Sequence, residues 1–316
     1  MKRILIDTFG ADRGTSVIVN GALRALKKRD DFKIAFFGDE EELQSTVSAF
    51  DGDMSRIEMY YSTECVTNSE NPACVFKGKD NSSLVMALKD LKTSSDDTLG
   101  MLSAGSTGAL MVGSIARLGL KKGVSQPLLC SLLPTLSERR ICIADCGANV
   151  NPRPEDLVLY AELASEYYSE LYNIPSPKVA LLSVGREKGK GSEITKKTYE
   201  LLETSSINFI GNAEGTDIYS GYADIIICDG FAGNVVIKVL ESAGKTALKL
   251  VTSSSAWESL SDDSKAEITE NVLSKFDLND RGGATFLGTK KPIIKMHGNA
   301  SEETVIACID QLLEGK

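Results

Sequence analysis

The chain has 316 residues, and its 35 basic against 44 acidic side chains give a net charge of −9. A hydrophobic content of 42% and a charged content of 25% are typical of a soluble globular protein and exclude a largely disordered chain. The acidic balance disfavours general nucleic-acid binding. No apolar run reaches the about 20 residues of a membrane span. The start, MKRILIDTFG, is typical of a strand and not of a signal peptide, so we expect a cytosolic protein.

Apolar runs with the composition of β-strands alternate with helical patterns along the chain. Ten strands are predicted, at 3–9, 32–38, 56–62, 98–104, 128–134, 140–146, 178–184, 207–213, 223–229 and 292–298. Helices are predicted at about 15–29, 39–49, 82–93, 107–119, 154–172, 192–204, 232–250, 262–275 and 301–314. Several strands are apolar on both faces, as in a sheet that helices cover on each side. We therefore predict an α/β fold, a three-layer αβα sandwich with a mainly parallel sheet.

The length fits a single catalytic α/β domain over residues 1–316, either as one body or as two lobes around a central cleft. One segment departs from the pattern. Residues 252–280 begin with the polar, Ser-rich run TSSSAWESLSDDSK, and we predict a polar helical or mobile connection there.

The cysteine and histidine content limits the chemistry. Seven cysteines at irregular spacing, mostly within apolar runs, do not form a disulfide framework. With His297 as the only histidine and no C-x₂-C pair, no metal site is predicted. The chain also lacks G-x-G-x-x-G, a P-loop and the G-x-S-x-G nucleophile elbow. We therefore expect anion-assisted chemistry without a cofactor.

Several loops that follow predicted strands carry glycines and polar side chains, and ligands of open α/β sheets bind at such ends. SAGSTGAL (103–110) opens a helix, and its glycines, hydroxyls and amides fit either an anion site or an ordinary capped turn. In DCGANVNPRPED (145–156), Asp145 either orients a substrate or caps its own loop.

Three further loops complete the set. CDGFAGNVVIK (228–238) places Asp229, two glycines and Asn234 at a helix start. SVGREKGKGSEITKK (183–197) is cationic and glycine-rich, which fits either phosphate contact or a solvated surface. In KMHGN (295–299), His297 is either an acid, base or thioester-orienting group, or a packed or surface side chain.

Taken in order, these loops resemble the phosphate acyltransferase family of bacterial phospholipid synthesis (the PlsX type). The matching segments span nearly the whole chain: DTFGADRG (7–14), GDEEEL (38–43), NPACVFKGKDNSSLVMAL (71–88), SAGSTGAL (103–110), LLPTL (132–136), DCGANVNPRPEDL (145–157), SVGREKGKGSE (183–193), NFIGNAEGTDIYSG (208–221), ADIIICDGFAGNVVIK (223–238), GGATFLG (282–288) and IIKMHGN (293–299). A single segment would carry little weight, whereas the series in family order is specific.

The resemblance implies a fold similar to phosphotransacetylases and to isocitrate- and isopropylmalate-type dehydrogenases. It implies transfer of a fatty acyl group from the thioester of acyl carrier protein to inorganic phosphate, which gives acyl phosphate. That product would supply a membrane glycerol-3-phosphate acyltransferase. The family is homodimeric, needs no organic cofactor and works at the inner face of the membrane.

With this chemistry implied, the loops receive roles as hypotheses. Phosphate is assigned to the 103–108 loop and to the cationic loop, through Ser103, Gly105, Ser106, Thr107, Gly108, Lys188 and Lys190. Asn149, Asn234 and His297 would polarise the thioester carbonyl or protonate the leaving thiolate, and Asp229 would orient one of them. Asp7, Asp12, Arg13 and Asp145 are further site candidates. A covalent route through Cys146 or Cys228 is a less favoured alternative, because both lie in apolar strands.

The first loop departs from the family pattern, which reads Asp-Ala-Met-Gly-Gly-Asp-His-Gly. Here the loop is DTFGADRG, with Ala11 in place of a glycine and Arg13 in place of the histidine. An alanine restricts the backbone where a positive φ is needed, and an arginine stays protonated and cannot act as a base. Arg13 remains able to bind phosphate or carrier protein.

Two segments bear on binding to the membrane and to the carrier protein. Residues 252–280 hold seven acids and two lysines where relatives are basic and amphipathic, so we predict weak or indirect membrane association. A cationic stretch at 117–140 is either a docking face for the acidic carrier protein or a solvated surface. Its candidate residues are Arg117, Lys121, Lys122, Arg139 and Arg140.

Two other functions remain open. One is a phosphotransacetylase that uses small acyl-CoA donors, since the fold is similar. The other is a non-catalytic member that binds acyl chains or carrier protein, for which the altered first loop is the support. A hydroxyacid dehydrogenase is disfavoured because the dinucleotide fingerprint is missing.

Overall fold

A computed structural model describes residues 1–136, 139–276 and 282–315. The strands are β1 (Lys2–Asp7), β2 (Phe32–Gly38), β3 (Ile57–Tyr61), β4 (Thr98–Ser103), β5 (Leu128–Leu133), β6 (Ile141–Ala144), β7 (Val179–Leu182), β8 (Phe209–Ala213), β9 (Ile225–Ile227), β10 (Ala284–Leu287) and β11 (Ile293–Lys295). The α-helices are α1 (Thr15–Lys28), α2 (Glu40–Val47), α3 (Ser83–Thr93), α4 (Thr107–Gly113), α5 (Pro154–Tyr172), α6 (Glu193–Glu203), α7 (Gly230–Thr252), α8 (Ser255–Glu258), α9 (Asp262–Phe276) and α10 (Glu302–Glu314). Short 3₁₀ helices cover Met54–Arg56, Pro72–Phe76 and Gly215–Asp217, and a π-helical turn, Ser114–Leu118, extends α4.

The chain divides into two compact units, residues 1–127 with 279–316 and residues 128–278. The first unit has the strand order β3-β2-β1-β4-β11-β10. Strands β3, β2, β1, β4 and β11 pair in parallel, and β10 runs antiparallel to β11. Parallel pairing places the loops after β1, β4 and β11 at one edge of this sheet.

Helices cover both faces of the first sheet. Ile4 and Ile6 of β1 belong to a buried cluster with residues of α1, α2 and α10. Leu5 is also fully buried but points to the opposite face, because successive side chains alternate along a strand. Helix α3 packs on β1, β2 and β4 with buried side chains outside that cluster. Burial on both faces explains the continuous apolar runs of β1 and β2.

The second unit has the strand order β5-β6-β9-β7-β8. Strands β6, β9, β7 and β8 are parallel, and β5 is antiparallel to β6. Helices α5 and α6 pack on each other and on these strands, and α7 packs on β6 and on α9. The loops after β6, β7 and β9 therefore lie at one edge of the sheet, and the loops before them lie at the other.

The predicted strand–helix alternation and the mainly parallel sheet are confirmed. Several details differ from the predictions. Strand β10 was not predicted, α7 begins at Gly230 and not at 232, and β11 covers 293–295 of the predicted 292–298. Helices α8 and α9 form in the segment predicted to be a polar helical or mobile connection. The single catalytic domain stays a prediction, and residues 277–280 of the polar segment lie outside the described residues. Across the described ranges, no helix has both the length and the apolar character needed to cross a bilayer.

Candidate functional site

The loop after β1 and the loop after β4 meet through a buried carboxylate. Ser103 is fully buried, and its hydroxyl donates to Oδ2 of Asp7 at 2.7 Å while it accepts the Gly105 N–H at 3.0 Å. Burial raises the pKa of Asp7 above its ordinary value, although hydrogen bonds and the nearby Lys295 oppose the shift. Asp7 and Ser103 thus join two adjacent loops at the carboxyl edge.

Glycine is required where these two loops touch. Gly10 has φ 95°, and a Cβ there would lie 2.6 Å from the Gly105 Cα. Ala11, the departure from the family loop, needs no such freedom. Among the described residues, the positive-φ residue that is not glycine is Asn173. Ala11 therefore fits the backbone without strain at φ.

The third loop of this edge carries His297. The Asp12 N–H donates to the Gly298 carbonyl at 2.7 Å, so the first loop and the loop after β11 are in direct contact. His297 is half-buried, whereas Asp12 and Arg13 are exposed. The sequence thus brings Asp7, Asp12, Ser103 and His297 to one edge of the first unit, as their positions at strand ends predicted.

Lys295 is a site candidate that the sequence analysis missed. Its ammonium donates to the Ala104 carbonyl at 3.2 Å and to the Met296 carbonyl, and its charge lowers the pKa of Asp7. The available signal was a lysine at the end of the apolar strand β11, beside His297. A cation therefore lies next to the loop that was assigned to phosphate.

The rest of the 103–108 loop combines half-buried hydroxyls with a glycine that packs against Pro72. Ser106 and Thr107 are half-buried at the start of α4, and the Ser106 hydroxyl accepts the Ala109 N–H at 3.5 Å. Gly108 lies against Pro72, whose Cγ would be 2.8 Å from an added Cβ. Packing thus accounts for Gly108, and binding of phosphate by this loop stays a prediction.

In the second unit, Asp145 organises the loop that follows β6. Its Oδ1 accepts the N–H groups of Leu129, Gly147 and Ala148 at 3.0–3.1 Å. Its Oδ2 accepts the Asn149 N–H at 2.6 Å and the Asn149 side-chain amide at 2.9 Å. Burial raises the pKa of this fully buried carboxyl, and these hydrogen bonds oppose the shift. The geometry is that of the loop-capping alternative, and it also orients Asn149.

The first turn of α7 lies directly on this loop. A Cβ on Gly233 would be 2.0 Å from the Asp145 carbonyl oxygen, and the Gly230 N–H donates to the Asn149 carbonyl at 2.8 Å. Asp229 caps the helix, because its Oδ1 accepts the Ala232 N–H at 2.8 Å.

Asn234 stands at the exposed side of this turn. Its Cβ is 3.7 Å from the position that a Cβ on Gly147 would take, and its side chain is exposed. The N–H groups of residues 147–149 already donate to Asp145, so they are not free to bind an oxyanion. The accessible amide at this loop is therefore that of Asn234.

The cysteines of this unit are poorly suited to nucleophilic catalysis. Cys146 and Cys228 are almost fully buried, and burial raises the pKa of both thiols well above the ordinary value. The Cys228 thiol donates to the Asp145 carbonyl at 3.3 Å. Because a thiolate is the reactive form, this setting argues against the covalent alternative.

The cationic loop after β7 holds its two phosphate candidates differently. The Lys188 ammonium donates to Glu203 at 2.5 Å and lies 5.6 Å from the centre of the Tyr199 ring. Within the described part of the chain, the Lys190 ammonium makes no ion pair, and this side chain is exposed. Lys190 is therefore the more available of the two cations.

The five candidates for carrier-protein docking are divided between the units. In the first unit, the Arg117 guanidinium binds the carbonyls of Val75 and Phe76 at 3.0–3.1 Å and pairs with Asp80 at 3.2 Å. Lys121 and Lys122 are exposed there. In the second unit, Arg139 is exposed and Arg140 is half-buried. Arg117 is thus engaged within its own unit, and the docking role of the set stays a prediction.

Comparison with known proteins places the chain in a family. A family model described as "Fatty acid synthesis protein" matches residues 2–314. A phosphate acyltransferase from Dictyoglomus thermophilum is 39% identical over 96% of this chain and 90% of its own length. One from Shouchella clausii is 35% identical over 99% of this chain and 94% of its own length.

Solved structures agree on the fold. A phosphotransacetylase from Streptococcus pyogenes superposes with a TM-score of 0.66 at 16% identity, and the match covers 99% of this chain and 94% of that one. This likeness supports the three-layer α/β architecture. Since the family model and both relatives extend over nearly the whole length, the chain belongs to the fatty acid synthesis protein family.

Proposed function

We propose that the protein is a phosphate acyltransferase that moves a fatty acyl group from the thioester of acyl carrier protein to inorganic phosphate. The observation that carries the proposal is the near-full-length match to phosphate acyltransferases at 39% and 35% identity. The products are acyl phosphate and the free thiol of the carrier protein. Acyl phosphate would then supply phospholipid synthesis through a membrane glycerol-3-phosphate acyltransferase.

The chemistry asks for few functional groups. A phosphate oxygen attacks the thioester carbonyl carbon, a tetrahedral oxyanion forms, and the C–S bond breaks as the carbonyl re-forms. The leaving thiolate then takes a proton. The enzyme must hold phosphate in line with the carbonyl, stabilise the oxyanion and supply that proton.

The proposed roles follow the geometry of each unit. In the first unit, the half-buried hydroxyls of Ser106 and Thr107 and the nearby ammonium of Lys295 suit a phosphate ion. His297, at the same edge, would donate the proton to the leaving thiolate. Asp7 and Ser103 would act indirectly, by holding the loop in place.

In the second unit, the Asn234 amide would stabilise the oxyanion. Asn149 would assist it, held in place by Asp145. Lys190 would add positive charge for phosphate, with Lys188 in support. Asp229 keeps the start of α7 in position, which is how it would orient Asn234.

The finer points of the function belong to the same proposal. We expect a homodimer in the cytoplasm that associates weakly with the inner membrane face. The donor would dock through local cations, because both proteins are acidic overall. Lys121, Lys122, Arg139 and Arg140 remain the residues to test for that contact.

One assay tests the function. Purified protein is incubated with palmitoyl-acyl carrier protein with and without phosphate, and acyl phosphate is trapped as the hydroxamate with hydroxylamine. We expect hydroxamate only when phosphate is present, and much less with palmitoyl-CoA as donor. Turnover of acetyl-CoA in preference to the carrier-protein donor would instead identify a phosphotransacetylase. Binding of the acyl carrier protein without phosphate-dependent cleavage would identify a non-catalytic member.

A further inference from the structure

The second unit contains a cavity of about 500 Å³ that none of the proposed catalytic roles uses. It lies where strands β6, β7 and β9 begin, since Arg140, Lys178 and Asp224 line it and each directly precedes one of these strands. Asp145, Ser183 and Asp229 follow the same strands at their other ends. Strands of three to four residues separate the two edges by about 10–13 Å. The cavity is therefore a separate site from the loops at the carboxyl edge of this sheet.

Among the described residues that line the cavity, basic side chains outnumber acidic ones, although the protein has a net charge of −9. Arg139, Arg140 and Lys178 line it, with Asp224 as the acidic member of the lining. The Asp224 carboxylate already accepts the Lys178 backbone N–H at 2.8 Å, and the Arg139 guanidinium is 3.9 Å away. Among the described residues of the lining, the exposed side chains of Arg139 and Lys178 thus supply positive charge beside a carboxylate that already accepts a backbone N–H.

The wall of the cavity is fixed by hydrogen bonds. The Tyr168 hydroxyl donates to the Arg140 carbonyl at 2.8 Å, and the Thr135 hydroxyl donates to the Arg139 carbonyl at 2.6 Å. The Asp224 N–H donates to the Lys178 carbonyl at 2.9 Å. The backbones of all three cationic residues are therefore anchored, and the site is built before any ligand arrives.

These features define the chemistry of a ligand. Guanidinium groups match the oxygens of phosphate in shape and charge, and a phosphate monoester carries close to two negative charges at neutral pH. A volume of about 500 Å³ falls in the range of small-molecule sites and exceeds what one phosphate ion fills. We propose that this cavity binds a small phosphate monoester, at a second site distinct from the one that uses inorganic phosphate as a substrate.

The test is binding of defined probes by isothermal titration calorimetry. Glycerol 3-phosphate and glucose 6-phosphate represent the monoesters, glycerol and glucose are the uncharged controls, and inorganic phosphate represents the substrate. We expect the monoesters to bind the wild type and the uncharged compounds to show no binding. A monoester that fails to bind at concentrations up to about 10 mM would overturn the proposal.

Variants locate the site. Lys178→Gln and Arg139→Gln change exposed side chains and leave the backbone hydrogen bonds of the wall in place. Each should weaken monoester binding by about 10-fold or more, as for loss of a charge-assisted hydrogen bond. Lys197→Gln is the matched control, because Lys197 is an exposed lysine of α6 in the same unit and does not line the cavity. Thermal unfolding of each variant checks that it is folded.

Two results would contradict the proposal and leave the acyltransferase function standing. Unchanged monoester binding in Lys178→Gln and Arg139→Gln would place the monoester elsewhere. Unchanged monoester binding together with a raised KM for acyl carrier protein in Lys178→Gln would make this edge part of a docking face. Conversely, a protein without phosphate-dependent acyl transfer that still binds a monoester through Lys178 would refute the proposed function and retain this site.

Discussion

Gly233 sits where the chain leaves no room for a side chain. An added Cβ would lie 2.0 Å from the Asp145 carbonyl oxygen and 3.0 Å from the Cys146 Cα, and both are backbone atoms that cannot swing away. The first turn of α7 therefore rests directly on the loop that Asp145 holds. The close packing of α7 on this loop fixes the positions of Asn234 and Asn149 relative to each other.

We expect Gly233→Ala to destabilise the fold by about 1–3 kcal/mol, the usual range for overpacking, and to lower acyl transfer because the loop after β6 must shift. Denaturant midpoints and kcat with the carrier-protein donor measure the two effects. Gly215→Ala is the control, because nothing lies within 4 Å of an added Cβ there and its φ is not positive. Equal stability of the two variants would refute the close contact.

The role proposed for His297 is that of a general acid. If its imidazole protonates the leaving thiolate, His297→Ala should lower kcat by about 100-fold or more at saturating phosphate, the range for loss of a general acid. KM for phosphate should change far less. Full turnover of His297→Ala under these conditions would remove the histidine from the reaction.

Asp229 lies at the start of α7. Asp229 accepts the Ala232 N–H, so it has a capping function whether or not it also touches substrate. Asp229→Asn retains a capping oxygen, whereas Asp229→Ala removes it and should cost about 1 kcal/mol in stability. We expect Asp229→Asn to keep most of kcat and Asp229→Ala to lose activity and stability together. A large loss of kcat in Asp229→Asn at unchanged stability would show that the carboxylate acts on the reaction itself.

The segment that leads into α3 contains an ion pair between Glu70 and Lys79. The Glu70 carboxylate pairs with the Lys79 ammonium at 2.8 Å and accepts the Thr67 N–H at 2.8 Å. These contacts lower the pKa of Glu70 from 4.5 to about 2, with the Lys79 hydrogen bond as the largest cause. A carboxyl whose pKa is lowered in the folded state stabilises that state above its unfolded pKa, and the contribution is lost as pH falls through the folded value.

The amide resonance of Thr67 should therefore titrate with a midpoint near pH 2 in an NMR pH series. The same resonance in Glu70→Gln should show no transition there. A wild-type midpoint at pH 4.5 or above would contradict the ion pair.

Most elements could be predicted because their apolar patterns are long and their boundaries carry capping residues. Strand β10 could not be predicted, because ATFL has only four residues and follows two glycines, a pattern that indicates a loop. Helix α7 begins at Gly230 and not at 232. Its first turn contains Gly230 and Gly233, which disfavour a helix in the sequence pattern, but Asp229 caps this turn. The antiparallel direction of β5 leaves no mark in its sequence, since a buried strand is equally apolar in either direction.

The candidate site was predictable only in outline. The predicted strand ends indicated where Asp145, Asp229 and His297 would lie, because the loops that follow parallel strands all lie at the carboxyl edge of the sheet. Their partners depend on residues far along the chain. Arg117 binds carbonyls 41 and 42 positions earlier, and Asp145 accepts the N–H of Leu129, and no local pattern encodes such contacts.

At the scale of the whole molecule, we expect surface charge to limit binding to a membrane. Four acids, Asp262, Asp263, Glu267 and Glu270, lie on α9, against the lysines Lys265 and Lys275. Lipid headgroups with negative charge repel such a surface. The Trp257 side chain of α8 is half-buried, so it offers only part of its surface for insertion.

We therefore expect little of the purified protein to sediment with vesicles of phosphatidylglycerol and phosphatidylethanolamine at about 0.1 M salt. A charge-reversed variant, Glu267→Lys with Glu270→Lys, should sediment more, because the repulsion is removed. Tight sedimentation of the wild type would show that the membrane is bound by another surface.

The order of segments in the first unit has a consequence for synthesis on the ribosome. Strand β4 finds its second neighbour in β11, and α1 packs against α10, yet both partners are translated after the entire second unit. Until then, β4 has an open edge, and Ile18 and Val19 of α1 lack the cover of Val305 and Ile309. We expect nascent chains to present this uncovered apolar surface to chaperones while the second unit is being synthesised, and to bury it only when α10 emerges.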